Sequence, residues 1–144
     1  MLEFFIPCNP SKATAQGSSM IMKRKNPDGT YTRFVGRAKN SKAEQTKKEL
    51  ILLLQSHRPA KPFEGPVSLM VVWAYPWRKS EPKKNRDRWV ACDTRPDCDN
   101  LSKLLCDVLT RLNFWKDDSQ VAHLNFWKIW SNKPGIKIKI KEMI

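Results

Sequence analysis

Residues 93–118 read Asp93-Thr-Arg95-Pro96-Asp97-Cys98-Asp99-Asn100-Leu101-Ser-Lys103-Leu104-Leu105-Cys106-Asp107-Val108-Leu109-Thr-Arg-Leu112-Asn113-Phe-Trp115-Lys-Asp117-Asp118, and the periodicity inside this stretch decides the fold. With residues 98–112 taken as a helix, Asp99 at 0° and about 100° per residue, Leu101, Leu104, Leu105, Val108, Leu109 and Leu112 fall between about 140° and 280°. Asp99, Lys103 and Asp107 fall at about 0°, 40° and 80°. One face is therefore suited to packing on a sheet, and the other presents carboxylate, ammonium and carboxylate in a row. Asp97 sits just before the helix, where Pro96 stiffens the chain. Asp117 and Asp118 follow by several residues, and a turn through Asn113 could bring them back.

The same stretch carries an unusual charge balance. The chain has 14 carboxylate residues against 27 Lys and Arg, yet six of the 14 lie here, leaving the stretch at −2 and the remainder at +15. Carboxylates gathered this closely repel one another unless a hard cation such as Mg²⁺ neutralises them. A basic surround attracts phosphates. The net charge of +13 and pI near 9.9 favour nucleic acid as the partner over an anionic membrane. No apolar run approaches the roughly 20 residues of a membrane span. The opening Met-Leu-Glu-Phe-Phe-Ile has no basic leader, so neither a secretion signal nor a membrane partner is expected. Cys8, Cys92, Cys98 and Cys106 show no C-x-x-C spacing, which argues against zinc and for small, buried apolar roles in a reducing cytoplasm.

Working outward, residues 2–6 predict a first strand and residues 7–19 a polar loop. Residues 20–25 and 31–35 flank Asn26-Pro-Asp-Gly29 and read as a hairpin carrying Lys23, Arg24, Lys25, Arg33 and Arg37. Ser41 with Glu44 resembles a capping box opening a helix to about Ser56, with Ala43, Thr46, Leu50, Leu53 and Leu54 on its inner face. Val67–Tyr75, apolar on both faces, predicts a central strand ended by Pro76. Residues 77–90 form a basic loop bearing Arg78, Lys79, Lys83, Lys84, Arg86 and Arg88, with Trp77 and Trp89 at its ends. Such a loop could track a DNA backbone, with Arg95 beyond it, or could be a solvated loop anchored by its tryptophans. Val121–Trp130 predicts a strand. Ile136-Lys-Ile-Lys-Ile-Lys alternates as a half-buried strand with lysines outward. Core packing is the expectation for Trp115, Trp127 and Trp130. The order implies one α+β domain over residues 1–144, a mixed sheet packed by two main helices.

Each acidic residue also has a structural reading. Asp97 or Asp99 could be an N-cap, Lys103 could pair with Asp99 or Asp107, and Asp117-Asp118 could be turn residues. A calcium loop counted from Asp97 would need Gly at its sixth position and Glu at its twelfth, where this chain has Ser102 and Val108.

The run Arg95-Pro96-Asp97-x-Asp99-Asn100-Leu101-x-Lys103, then Asp107 and Leu109, then Asp117-Asp118-x-Gln120-Val121, resembles the signature of the RusA family of Holliday-junction resolvases of bacteria and their phages. Lys128 and the Pro-Gly-Ile before the last strand add to it, and the likeness is clear over about residues 67–142. The resemblance implies that Asp97, Asp99 and Asp118 bind a divalent metal, Mg²⁺ or Mn²⁺, with Lys103 as an essential basic group. Asp117, Asp107 and Asn100 match recurring positions around that site. It further implies a RusA-like homodimer that cuts four-way DNA junctions by two symmetric nicks, with no small-molecule cofactor. Two other readings share these residues: a non-catalytic basic dimer that holds branched DNA, and a nuclease of the same chemistry acting on flaps, forks or RNA.

Overall fold

A computed structural model describes residues 1–12, 19–37 and 41–144. Five strands form one sheet in the order β1 (Leu2–Pro7), β7 (Gly135–Glu142), β4 (Val67–Pro76), β6 (Val121–Ser131) and β5 (Val90–Ala91). Only the β4–β6 pair is parallel; the other neighbours are antiparallel, so the sheet is mixed, as expected. β2 (Ser19–Lys25) and β3 (Tyr31–Arg37) make a separate hairpin, whose turn places Gly29 at φ 88°. That positive φ is why glycine follows Asn-Pro-Asp there. β5 was not expected; its two residues close the basic loop by pairing with Ile129 and Trp130. Pro7 falls inside β1, at the end of an edge strand where a missing N–H is tolerated.

Strand parity builds the core. In register, Leu69 meets Ile140, Val71 meets Ile138 and Trp73 meets Ile136, all essentially inaccessible. Met70 and Val72 turn the other way, opposite Lys139 and Lys137. The inner face is covered by α2 (Cys98–Arg111), whose Leu101, Leu104, Leu105, Val108 and Leu109 are buried as the angular count predicts. At a rough 1.5–3 kcal/mol for each fully buried aliphatic side chain, this stripe alone fixes α2 on the sheet. α1 (Ser41–Gln55) contributes Ala43, Thr46, Leu50 and Leu54, but Leu53 is exposed rather than inward. Lys47, not expected there, is buried on that side. The capping contact expected of Ser41 lies outside the described side chains, as does the middle of the N-terminal loop.

Trp115 and Trp130 are core residues, whereas Trp127 is 47% exposed, because its parity in β6 points it away from α2. Trp89, at 58% exposure, stands edge-on to it at 5.7 Å. Trp77 packs partly buried against the core. The cysteines are free thiols; Cys92 is buried, Cys8 and Cys106 are half-buried, and Cys98 is exposed, against the expectation of burial, since it opens α2 on the outer side.

Candidate metal and nucleic-acid site

Asp97 is the N-cap of α2, in extended backbone, and its Oδ1 accepts from the Asn100 N–H at 3.4 Å. Asp99 lies in the first helical turn, where a carboxylate is favoured by the helix dipole. Lys103 Nζ donates to Asp99 Oδ2 at 3.2 Å in an exposed i,i+4 pair. Such a pair is worth only about 0.3–0.5 kcal/mol, so both groups are free to re-partner when an anion or cation arrives. Asp107, four residues beyond Lys103, turns to Lys47 of α1 at 3.7 Å rather than to Lys103. The two structural alternatives for Lys103 thus separate: Asp99 is its partner.

The returning chain uses Asn113 at φ 58°, a left-handed residue that suits asparagine, and the Phe114 N–H closes on the Leu109 carbonyl at 3.0 Å. A 3-10 turn, Asp118–Gln120, then packs against α2. Asp117 caps it, accepting from the Ser119 N–H at 2.8 Å, and this bond holds its carboxyl below the usual aspartate range. Gln120 completes the capping box: its Oε1 accepts from Lys116 and Asp117 N–H groups at 2.9 and 3.1 Å. Its Nε2 donates to the Phe63 and Gly65 carbonyls at 2.8 and 3.0 Å. Asp118 itself is exposed. Burial pushes the Cys106 thiol up to about 11, with the charges of Asp118 and Asp107 adding to the effect. Cys106 therefore stays a neutral thiol, no thiolate nucleophile, while the site's charge resides in oxygen. Among the described residues no three His, Cys, Asp or Glu side chains lie close enough together to cage an ion.

Sequence reading assigned no role to the residue that carries the Asp97 loop. Lys128 shares the core-facing parity of Phe126 and Trp130 in β6 and is 9% exposed. Its ammonium donates to the Pro96 carbonyl at 2.7 Å and to the Thr94 carbonyl, while its own carbonyl accepts from the Cys92 N–H at 2.9 Å. The Arg95–Pro96 peptide between those acceptors is cis. A lysine interrupting the buried side of a strand was the available signal, because a charge is kept there only where donors are matched to acceptors.

The basic loop is ordered largely from within. Arg86 donates to the carbonyls of Glu81 at 2.6 Å, Arg78 at 3.2 Å and Lys79 at 3.3 Å, so much of its donor capacity is committed. Arg78, Lys79, Lys83, Lys84 and Arg88 are exposed, as is Arg95. Arg78 stacks its guanidinium 5.5 Å from the Trp130 ring centre.

A buried helix face and an exposed acidic N-terminus thus stand together on α2, and comparison with known proteins gives the chain's family. The family model described as Endodeoxyribonuclease RusA matches residues 10–141. The chain belongs to the RusA endodeoxyribonuclease family. It is 37% identical over 93 residues to the crossover junction endodeoxyribonuclease rusA of Lactococcus phage r1t, covering 62% of this chain and 66% of that protein. It is 34% identical over 109 residues to YqaN of Bacillus subtilis strain 168, covering 72% of this chain and 76% of that protein. RusA membership makes the chain a nuclease by family, with DNA as its partner. No helix among the described residues is long and apolar enough to cross a membrane.

Proposed function

We propose that this RusA-family nuclease resolves four-way DNA junctions by paired symmetric phosphodiester cuts, in the cytoplasm, as a homodimer serving DNA recombination and repair. The observation that carries the reading is the placement of Asp97, Asp99 and Lys103 together on the exposed N-terminal turn of α2 in a chain of net charge +13. The phage relative named for crossover junctions supports the choice of substrate.

The donor chemistry suits Mg²⁺ or Mn²⁺. Asp97, Asp99 and Asp118 offer hard, exposed oxygens. The absence of a closed protein cage among the described residues is compatible with Mg²⁺, which usually keeps waters and takes one or two carboxylates together with substrate phosphate oxygens. An ion bound there would lower the pKa of its water and draw charge from the scissile phosphate. The protein's own contributions are separable from that. Lys103, released from Asp99, supplies a positive charge toward charge developing on phosphate oxygen. Asp97, seated as an N-cap, has one oxygen tied to the Asn100 N–H and one free. A two-fold junction is matched by a two-fold pair of such sites, which is the reason for proposing a dimer.

The test is a gel assay of the purified chain on a synthetic four-way junction beside linear duplex of the same sequences, with Mg²⁺, Mn²⁺ or EDTA. Paired nicks confined to the junction and to the metal-containing lanes are expected. Junction binding without cleavage in any metal would instead identify a non-catalytic binder, and equal cutting of flaps or forks would widen the substrate class.

A further inference from the structure

We propose that Lys12 and Arg95 form a seat for a backbone phosphate of the bound DNA strand, in the cleft beside Asp97. The inference rests on the nuclease reading above and adds a binding element from the N-terminal segment to it.

A cleft of about 580 Å³ is lined by Lys12, Arg95, Pro96, Asp97 and Asn100. Its two cations, Lys12 and Arg95, lie far apart in the sequence, so the cleft exists only in the folded chain. Lys12 is not placed by chance. The residue before it, Ser11, accepts from the Tyr75 hydroxyl through its carbonyl at 3.3 Å and from the Thr46 hydroxyl through its side chain at 3.0 Å. The Lys12 ammonium then lies 5.8 Å from the Tyr75 ring centre and 5.9 Å from that of Trp130. Both rings are buried, at 1% and 4% exposure, and make a firm platform. Burial pushes the Tyr75 phenol up to about 12, so the ring remains neutral and does not compete as an anion for the ammonium.

A cation held by ring faces keeps its charge available to a further ligand, whereas one held in an ion pair does not. Among the described residues neither Lys12 nor Arg95 has a carboxylate within ion-pair reach. The only carboxylate lining the cleft is Asp97, which caps α2. Two unneutralised cations facing one exposed cleft match an anionic ligand. In a DNA-acting family that ligand is a phosphodiester. Arginine can meet it with two parallel donors, and lysine as a point charge. A phosphate held there would set the register of the strand relative to Asp97, which makes Lys12 and Arg95 positioning residues.

The experiment is fluorescence anisotropy of the full chain on a labelled four-way junction in EDTA, repeated over a series of NaCl concentrations. Losing one phosphate contact reduces the salt slope of log K by about 0.7–0.9. Lys12→Gln and Arg95→Gln are each expected to lower that slope by roughly this amount and to weaken binding about tenfold, while Lys12→Arg keeps the wild-type slope. A melting temperature unchanged from wild type shows that the loss is one of contact. Wild-type slope in both Gln variants, with the wild-type chain binding and cutting the junction, would overturn the phosphate seat and leave the nuclease reading intact. Failure of the wild-type chain to bind DNA at all would overturn both.

Discussion

Asp97 and Asp118 stand on segments stabilised by opposite means. The segment before α2 is anchored from inside the molecule: the buried Lys128 ammonium gathers the Thr94 and Pro96 carbonyls, and Cys92 pairs with β6. The segment after α2 is anchored by the Asp117 cap and by a single Gln120 amide that serves four backbone groups, two of them on the distant Phe63–Gly65 segment. In both, an exposed carboxylate is carried by neighbours whose donors and acceptors are already used. The difference lies in what each is tied to. A buried ammonium with two carbonyl partners ties the Asp97 segment to β6, whereas the Gln120 amide ties the Asp118 turn to the Phe63 and Gly65 carbonyls of the segment before β4.

The comparison can be broken in four places. The largest effect is expected from the carboxylates themselves: Asp97→Asn, Asp99→Asn or Asp118→Asn should reduce metal-dependent junction cutting by at least about 100-fold. Junction affinity measured in EDTA should be retained or tightened, because negative charge near phosphate is removed. Near-normal cutting in one of them would remove that residue from the site. Next, Lys128→Met leaves two inward carbonyls without a donor and should cost roughly 2–3 kcal/mol, read as a lower midpoint in urea unfolding. An unchanged midpoint would mean that Asp97 is not anchored through the core. Gln120→Ala comes third, at roughly 1–2 kcal/mol, with Asp118-dependent cutting falling more than the global midpoint if the turn is a local unit.

The smallest effect concerns pH. The Asp117 carboxyl is held below its ordinary value of 3.8 by the Ser119 N–H. A depressed folded pKa contributes stability that is present above the unfolded value and lost as pH falls through the folded one. Asp117→Asn should therefore abolish a shallow acid-side decline in melting temperature below about pH 4 and change little at neutrality. An identical acid profile in the two proteins would show that the cap is not formed in solution.

Much of this arrangement was legible in residue order. The leucine stripe of α2 follows from a 3.6-residue period, and the isoleucine–lysine alternation of β7 from a period of two, since each is set by local backbone geometry. The turns at Asn26–Gly29 and Asn113 follow from the few residues that accept positive φ. Leu53 and Trp127 were misplaced because local apolarity does not say which side a neighbouring element will cover; α2 lies on one face of the sheet, and Trp127 belongs to the other. The Lys47–Asp107 pair was illegible for the same reason, since it joins two helices whose packing is decided by the sheet beneath them.

By itself the sequence determined the composition of the site and its local scaffold. Asp97, Asp99 and Lys103 lie within seven consecutive residues, and helical spacing sets Asp99 and Lys103 one turn apart on one exposed face with Asp97 just before it. Only the tertiary structure decided what stands beside that turn. Lys128 reaches it because β6 lies next to β4 with a parity that turns this lysine inward. Lys12 reaches it because Tyr75 and Trp130, on neighbouring strands, offer one platform to a segment far away in the chain. Contacts between distant residues depend on strand order and register, which are fixed by the cooperative burial of a whole sheet face and not by any short stretch.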